Sequence, residues 1–220
     1  MFCSMVRIAD FLRAIDALGL SLKNVLIWLK SNMVLTFGEF CPQYEPIIYA
    51  GKTDTIRRNP NKGMSNVLFC HNRKMRTEFN IPWYHPTSKP IKLLRDLLDA
   101  TTIVGDLICD AFAGTGSTLI ACHRTGRRFA GVELSERYCI AACMRYRYET
   151  AKQIPVYELI GDRQIELSDA YLKAEFEHIT GAPEGEPQNN NAESNTTLGV
   201  GEAISSLNSA SRRPCQLTLC

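Results

Sequence analysis

The stretch DAFAGTGSTLIA, residues 110–121, places two glycines between a strand-like segment and a segment of helical pattern. The run DLICD (106–110) precedes the glycines, and apolar residues at helical spacing follow them. Glycine lets the backbone turn sharply and come close to a ligand, and a helix that begins there offers free N–H groups. The stretch therefore predicts a ligand-binding turn between a β-strand and an α-helix.

Three classes of ligand use such a turn, and the flanking residues help to separate them. A mononucleotide P-loop needs a lysine before its Ser/Thr, but Ser117 and Thr118 follow Gly116 directly. A dinucleotide-binding turn needs a third glycine where Leu119 stands. The third class holds adenosine without a pyrophosphate, as in S-adenosylmethionine, and needs a carboxylate at the end of the next strand to bind the ribose. Glu133 ends that strand, although the residues alone also allow a solvated charge there.

Strand-like and helical patterns alternate along most of the chain, which predicts an α/β fold. We expect a mostly parallel sheet with helices on both faces, within one domain that spans residues 1–180. The patterns predict helices over 8–19, 90–102 and 115–126 and from 135 onward, and strands over 24–30, 43–50, 66–70, 106–110 and 128–134.

The composition allows one substantial core and gives no global sign of a partner. The 220 residues are 45% hydrophobic and 22% charged, and the formal net charge of +2 is too small to indicate nucleic acid by itself. The nine cysteines are scattered without a complete metal-ligand spacing, so we predict reduced thiols and no metal. No run is long enough to span a bilayer and no signal-peptide layout is present, so a cytoplasmic location without a membrane partner is expected.

Two segments depart from the average composition. Residues 51–84 form a predicted basic loop with seven cations and two anions, and this local excess suits contact with DNA phosphates. Residues 181–220 are rich in Gly, Pro, Asn and Ser and are predicted to be a disordered low-complexity tail. The candidate DNA contacts are Arg57, Arg58, Lys62, Arg73, Lys74 and Arg76.

Three blocks in fixed order resemble a known family. These are HPTSKP (85–90), DAFAGTGST (110–118) and GRRFAGVEL (126–134), and the likeness runs from about residue 2 to 148. They are similar to the amino-methyltransferases of DNA, in the group whose cofactor motifs follow the catalytic motif. The resemblance implies a Rossmann-like fold and S-adenosylmethionine as the cofactor.

The resemblance also assigns roles to individual positions. It implies that the glycine block cradles the methionine and adenosine parts of the cofactor, that Glu133 holds the ribose, and that the HPTSKP block closes the site near the methionine end. The cofactor residues so implied are Asp110, Phe112, Gly114, Gly116, Glu133, His85, Thr87 and Lys89.

The family's catalytic loop has no counterpart in this sequence. That loop reads Asp/Asn/Ser-Pro-Pro-Tyr/Phe and holds the amine of a flipped base, whereas the chain contains no Pro-Pro. The resemblance therefore implies a fold that is incomplete at the N-terminus, with an exposed sheet edge. Other amino-methyltransferases use a catalytic loop with an amide acceptor, an apolar residue, a proline and an aromatic residue in that order. Asn80-Ile81-Pro82-Trp83 has this form, so Asn80, Pro82 and Trp83 are weak catalytic candidates.

Three functions stay open on this basis. The first is a restriction-modification type DNA methyltransferase, acting on the exocyclic amine of adenine or cytosine in double-stranded DNA, whose chain lacks the catalytic loop and is expected to be weak or inactive alone. The second is a non-catalytic module that binds S-adenosylmethionine or DNA and needs a second polypeptide, or self-association, to cover its sheet edge. The third is an RNA or protein methyltransferase that uses residues 80–83.

Overall fold

The computed structural model describes residues 1–35, 37–52, 63–71, 88–150, 156–160, 163–180 and 215–219. These residues belong to two units, each with its own internal contacts. The first unit comprises Met1–Arg73, Lys89–Asp106 and Arg124–Arg127, and the second comprises Lys74–Ser88, Leu107–His123 and Arg128–Cys220.

The first unit is built on a small mixed sheet. Its strand order is β2-β1-β3, with β1 antiparallel to β2 and parallel to β3. Pro46 lies in β2, at an edge of this sheet, where its missing N–H costs no ladder hydrogen bond. A short 3₁₀ turn (Met5–Arg7) precedes α1 (Ile8–Ala17), β1 (Ser21–Lys30), β2 (Tyr44–Gly51), β3 (Val67–Cys70) and α2 (Ile91–Thr101).

Trp28 of β1 lies at the centre of this unit's core. Its side chain is 2% exposed and packs with Ile47, Leu68, Cys70 and Leu93. The indole N–H donates to the Cys70 carbonyl at 3.1 Å, so the polar atom of a buried aromatic has a partner. A helix and all three strands thus share one apolar cluster.

The second unit contains the glycine stretch. Its strand order is β4-β5-β8-β6-β7, and β4 runs parallel to β5. Buried side chains of α3, β5 and α4 form its interior. The elements are β4 (Leu107–Asp110), α3 (Ser117–Arg124), β5 (Arg128–Glu133), α4 (Glu136–Thr150), β6 (Val156–Ile160), β7 (Arg163–Glu166), α5 (Asp169–Thr180) and β8 (Cys215–Leu219).

The α/β architecture and the helices and strands expected before residue 150 are confirmed, but the sheets are more mixed than expected. The pairs β1–β3 and β4–β5 are parallel, as a Rossmann-like fold requires. The pairs β1–β2, β5–β8, β6–β7 and β6–β8 are antiparallel. Only residues 161 and 162 separate β6 from β7, and such a short link can join only antiparallel strands.

The structure corrects the expected disorder of residues 181–220 at one place. Residues 215–219 form β8, which pairs with both β5 and β6, while 181–214 and 220 lie outside the described residues. Composition averaged over the tail hid the segment CQLTL, whose backbone groups find partners on two neighbouring strands.

Within the described ranges, no helix is long and apolar enough to cross a membrane.

Candidate functional site

The two glycines of the loop between β4 and α3 adopt left-handed backbone conformations. The φ angle is +55° at Gly114 and +75° at Gly116, a region that residues with a Cβ rarely enter. The Gly116 carbonyl accepts a hydrogen bond from the Ile120 N–H at 3.0 Å, so α3 starts directly after the second glycine. The predicted sharp turn into a helix N-terminus is confirmed.

The surroundings of the two glycines differ. A Cβ added at Gly116 would lie 2.8 Å from the Cβ of Ala142 in α4, so this glycine permits close packing of loop and helix. Among the residues that the structure describes, a Cβ at Gly114 would meet only the Phe112 carbonyl oxygen, at 4.0 Å. Phe112 itself is 89% exposed. One glycine therefore serves packing, and the other leaves open space beside the loop.

Asp110, at the end of β4, holds the loop in shape through both carboxylate oxygens. One oxygen accepts from the Phe112 N–H at 3.0 Å, and the other accepts from the Thr118 hydroxyl at 2.6 Å. These bonds connect the end of the strand to the first turn of α3. The observed contacts show that Asp110 shapes the backbone of the loop, and the cofactor role that the resemblance implies for it stays a prediction.

Glu133, at the end of β5, lies against the same loop. Its Oε2 accepts from the Gly114 N–H at 2.8 Å, and its Oε1 accepts from the Ser135 N–H at 2.8 Å. A carboxylate offers about four lone-pair sites, so two N–H donors leave acceptor capacity on Glu133. The parallel pairing of β4 and β5 aligns Asp110 with Gly131 and brings both acidic strand ends to one edge of the sheet.

Ser88 and Arg145 also support the loop, and sequence reasoning did not predict a role for either one. The Thr115 hydroxyl lies 3.1 Å from the Ser88 hydroxyl, and the buried Arg145 of α4 donates to the Thr115 carbonyl. The sequence signal that could have predicted this contact is Arg145 itself, a charged residue inside the apolar run CIAACMRY and three positions after Ala142. Because α4 was predicted only as a sheet-covering helix, its contact with the loop was missed.

Lys89 of the HPTSKP block belongs to a different cluster, in the first unit. Its ammonium lies 2.6 Å from Glu45 Oε1, and Lys30 lies 3.3 Å from the other oxygen of the same carboxylate. The Lys89 nitrogen also lies 4.9 Å from the centroid of the Phe2 ring and 5.6 Å from that of Trp28. All three charged side chains are less than one-quarter exposed. Lys89 is thus held by an acid and two aromatic faces of its own unit.

Arg127 of the GRRFAGVEL block also has partners in the first unit. Its guanidinium donates to Asp99 at 2.9 Å and to the Thr102 carbonyl at 2.9 Å, at the end of α2. The side chain is 4% exposed. This arginine therefore secures the end of a helix and shows no contact typical of a ligand-binding group.

Burial raises the pKa of the Cys70 and Cys3 thiols above the ordinary value. Both thiols are therefore largely protonated near neutral pH, which makes them poor nucleophiles. Among the described residues, no group of three or more His, Cys, Asp or Glu side chains could hold a metal ion.

Many predicted site residues lie outside the described ranges. They are the cofactor candidates His85 and Thr87, the catalytic candidates Asn80, Pro82 and Trp83, and the DNA-contact candidates Arg57, Arg58, Lys62, Arg73, Lys74 and Arg76. Their roles stay predictions. The residues that the structure does bring together are Asp110, Phe112, Gly114, Gly116 and Glu133.

Comparison with known proteins identifies related sequences and folds. The family model N6_N4_Mtase, described as DNA methylase, matches residues 1–143. The type II methyltransferase M2.DpnII of Streptococcus pneumoniae is 31% identical over 149 residues, which cover 62% of this chain and 55% of the relative. The chain thus spans about half of that relative's length.

Two solved structures share the fold. The complex of M1.HpyAVI with SAM has a TM-score of 0.54 at 24% identity and covers 66% of this chain and 72% of that one. The cytosine-N4-specific PvuII DNA methyltransferase has a TM-score of 0.57 at 17% identity, covering 81% of this chain and 64% of that one.

Proposed function

This chain belongs to the DNA methylase family, and from that premise we propose that it binds S-adenosylmethionine and serves methyl transfer to an exocyclic amine of adenine or cytosine in double-stranded DNA. The bound cofactor would supply an electrophilic methyl group on a sulfonium. We propose that this chain's own residues bind the cofactor and position the DNA.

The observation that carries the cofactor proposal is the contact between Glu133 and the glycine loop. Glu133 Oε2 lies 2.8 Å from the Gly114 nitrogen, so the carboxylate is fixed beside a backbone position that no described side chain fills. Its remaining lone pairs suit the two hydroxyls of a ribose. The exposed Phe112 ring offers an apolar face next to the same loop. These groups fit an adenosine and provide no cationic phosphate site.

The proposal for DNA rests on the sequence of residues 51–84. Seven cations against two anions would attract a phosphate backbone and make binding dependent on salt. The relatives support the same substrate class, because the family model is described as DNA methylase. We infer that Arg57, Arg58 and the other cations named above make phosphate contacts that position the duplex without reading its sequence.

A second candidate function is a cofactor-binding module completed by another polypeptide. β4 is the terminal strand of its sheet among the described strands, and Leu107 on it is 51% exposed. An unpaired edge of a parallel strand is a site where a further strand can add. Under this proposal, the partner, or a second copy of the chain, supplies the Pro-Pro loop that the sequence lacks.

A transfer assay with S-adenosylmethionine labelled on its methyl group separates these proposals. The chain is incubated with unmethylated DNA, with RNA and with neither, label in each macromolecule is counted, and labelled cofactor retained by the chain on a filter is counted in parallel. Label in DNA supports the enzyme acting alone, and cofactor binding without transfer supports the module that needs a partner. Label in RNA but not in DNA would favour an RNA methyltransferase, and absence of cofactor binding would exclude all three.

A further inference from the structure

Arg145 of α4 is a fully buried cation beside the glycine loop. Its relative exposure is 1%, and burying a guanidinium is costly unless its donors are used. The helix that carries it packs on the loop through Ala142, against which Gly116 fits without a Cβ. Residues three apart share a helix face, so Arg145 lies one turn further along the face that touches the loop.

The Arg145 guanidinium donates from one nitrogen to three acceptors in the loop and in α3. It donates to the Thr115 carbonyl, to the Thr115 hydroxyl at 3.3 Å, and to the Ser117 hydroxyl at 3.5 Å. Thr115 is the residue between the two left-handed glycines, and it is 4% exposed. The hydrogen bonds of this one nitrogen, Nη1, therefore converge on the centre of the turn.

These contacts fix the orientation of one peptide plane. The bond between Thr115 and Gly116 is trans, so its carbonyl and its N–H point in opposite directions. Arg145 binds the carbonyl, while the Gly116 N–H donates to the Ala113 carbonyl at 2.9 Å. The peptide plane is held from both sides, so turning this plane relative to the rest of the loop would require both hydrogen bonds to break.

We propose that Arg145 is the positioning residue of the cofactor loop, which it holds in the shape that receives S-adenosylmethionine. This inference rests on the proposed function, because it assigns the loop's ligand from that proposal. Arg145 acts through Thr115 and needs no contact with the cofactor itself. Glycine is the most flexible residue, so the free loop would lose part of its binding energy in becoming ordered. A loop held by Arg145 is ordered in advance.

The test compares Arg145→Gln, Arg145→Lys and the control Arg147→Gln, which removes a charge from the same helix two positions away. S-Adenosylhomocysteine is titrated into each full-length variant by calorimetry, and amide hydrogen exchange is followed in residues 113–118. Arg145→Gln should bind about tenfold more weakly, the size of one charged hydrogen bond, with faster exchange at Gly116. Arg145→Lys, which keeps the charge but loses the planar fork, should fall between wild type and Arg145→Gln.

The outcomes distinguish this inference from the proposed function. If the wild type binds and Arg145→Gln binds equally well, the role of Arg145 is wrong while the cofactor proposal stands. If the wild type fails to bind, the cofactor proposal is wrong, and exchange in residues 113–118 still decides whether Arg145 orders the loop. Should Arg145→Gln not fold, Arg145→Lys carries the test, because it changes the donor to the Thr115 carbonyl and keeps the charge. Wild-type affinity together with wild-type exchange at Gly116 in Arg145→Lys would then overturn the inference.

Discussion

The glycine loop of the second unit and the Lys89 cluster of the first unit use polar residues in opposite ways. In the loop, Asp110 and Glu133 accept hydrogen bonds from neighbouring backbone and hydroxyl groups and hold an open turn. In the other cluster, Lys89 and Lys30 share the carboxylate of Glu45 and lie over aromatic rings. The first arrangement leaves acceptor capacity beside open space, and the second uses its charges within a packed interior.

The family resemblance implies that Lys89 and the glycine loop belong to a single cofactor site, and the cofactor role of Lys89 stays a prediction that its contacts do not require. Motif resemblance shows that a position matters and does not show whether it binds a ligand or supports the fold. The contacts of Lys89 provide a structural reason for its place in HPTSKP, because the ammonium secures the start of α2 to β2. We therefore expect mutations in the two regions to affect different quantities.

The largest effect is expected from Gly116→Ala. The new Cβ would lie 2.8 Å from Ala142 Cβ and 3.2 Å from its Cα, at a φ of +75°, so both packing and backbone are strained. We expect a loss of about 3 kcal/mol in the free energy of unfolding, measured by urea denaturation, and loss of cofactor binding. Gly114→Ala is the matched control, since it has the backbone strain without the clash, and should cost about 1 kcal/mol. Equal losses in the two variants would contradict the packing role of Gly116.

Lys89→Met should have the next largest effect, on stability more than on binding. Removing the ammonium leaves Glu45, whose side chain is 19% exposed, with one fewer cation. We expect a loss of about 2 kcal/mol in the free energy of unfolding, because the ion pair is largely buried.

The control for this variant is Lys92→Met. Lys92 pairs with Asp96 on the surface of α2, where its side chain is 73% exposed, so its loss should change the free energy of unfolding by less than about 0.5 kcal/mol. If Lys89→Met instead kept wild-type stability and lost affinity for S-adenosylhomocysteine, Lys89 would be a cofactor ligand and our interpretation of its cluster would be wrong.

The smallest expected effect is a difference between the labelling rates of two cysteine thiols in the unmutated, folded chain. Cys109 of β4 is exposed, whereas Cys70 of β3 is buried and has a raised thiol pKa. A raised pKa means less thiolate at a given pH, so Cys70 should be labelled by iodoacetamide only slowly at pH values below that pKa. Mass spectrometry of timed samples should find label on Cys109 before Cys70. Faster labelling of Cys70 in the folded chain would indicate that the core of the first unit opens readily.

Local sequence patterns were sufficient for the elements up to residue 150 but not for the contacts among them. The alternation of strands and helices, and the glycines at 114 and 116, follow from residue chemistry that acts over short distances. The pairing of Lys89 with Glu45 spans 44 positions, and that of Arg145 with Thr115 spans 30, so no local pattern specifies either one. β8 was missed for a related reason, since its partners lie far from it in sequence.

Calorimetric titration of S-adenosylhomocysteine into the wild type and into Glu133→Ala decides whether the glycine loop and Glu133 form the cofactor site. The variant removes the acceptor of the Gly114 and Ser135 N–H groups together with the lone pairs assigned to the ribose. We predict saturable binding to the wild type and binding at least about tenfold weaker to the variant, with the variant still folded by circular dichroism. No binding to the wild type, or equal affinity in the two proteins, would contradict the assignment of the glycine loop and Glu133 as the cofactor site.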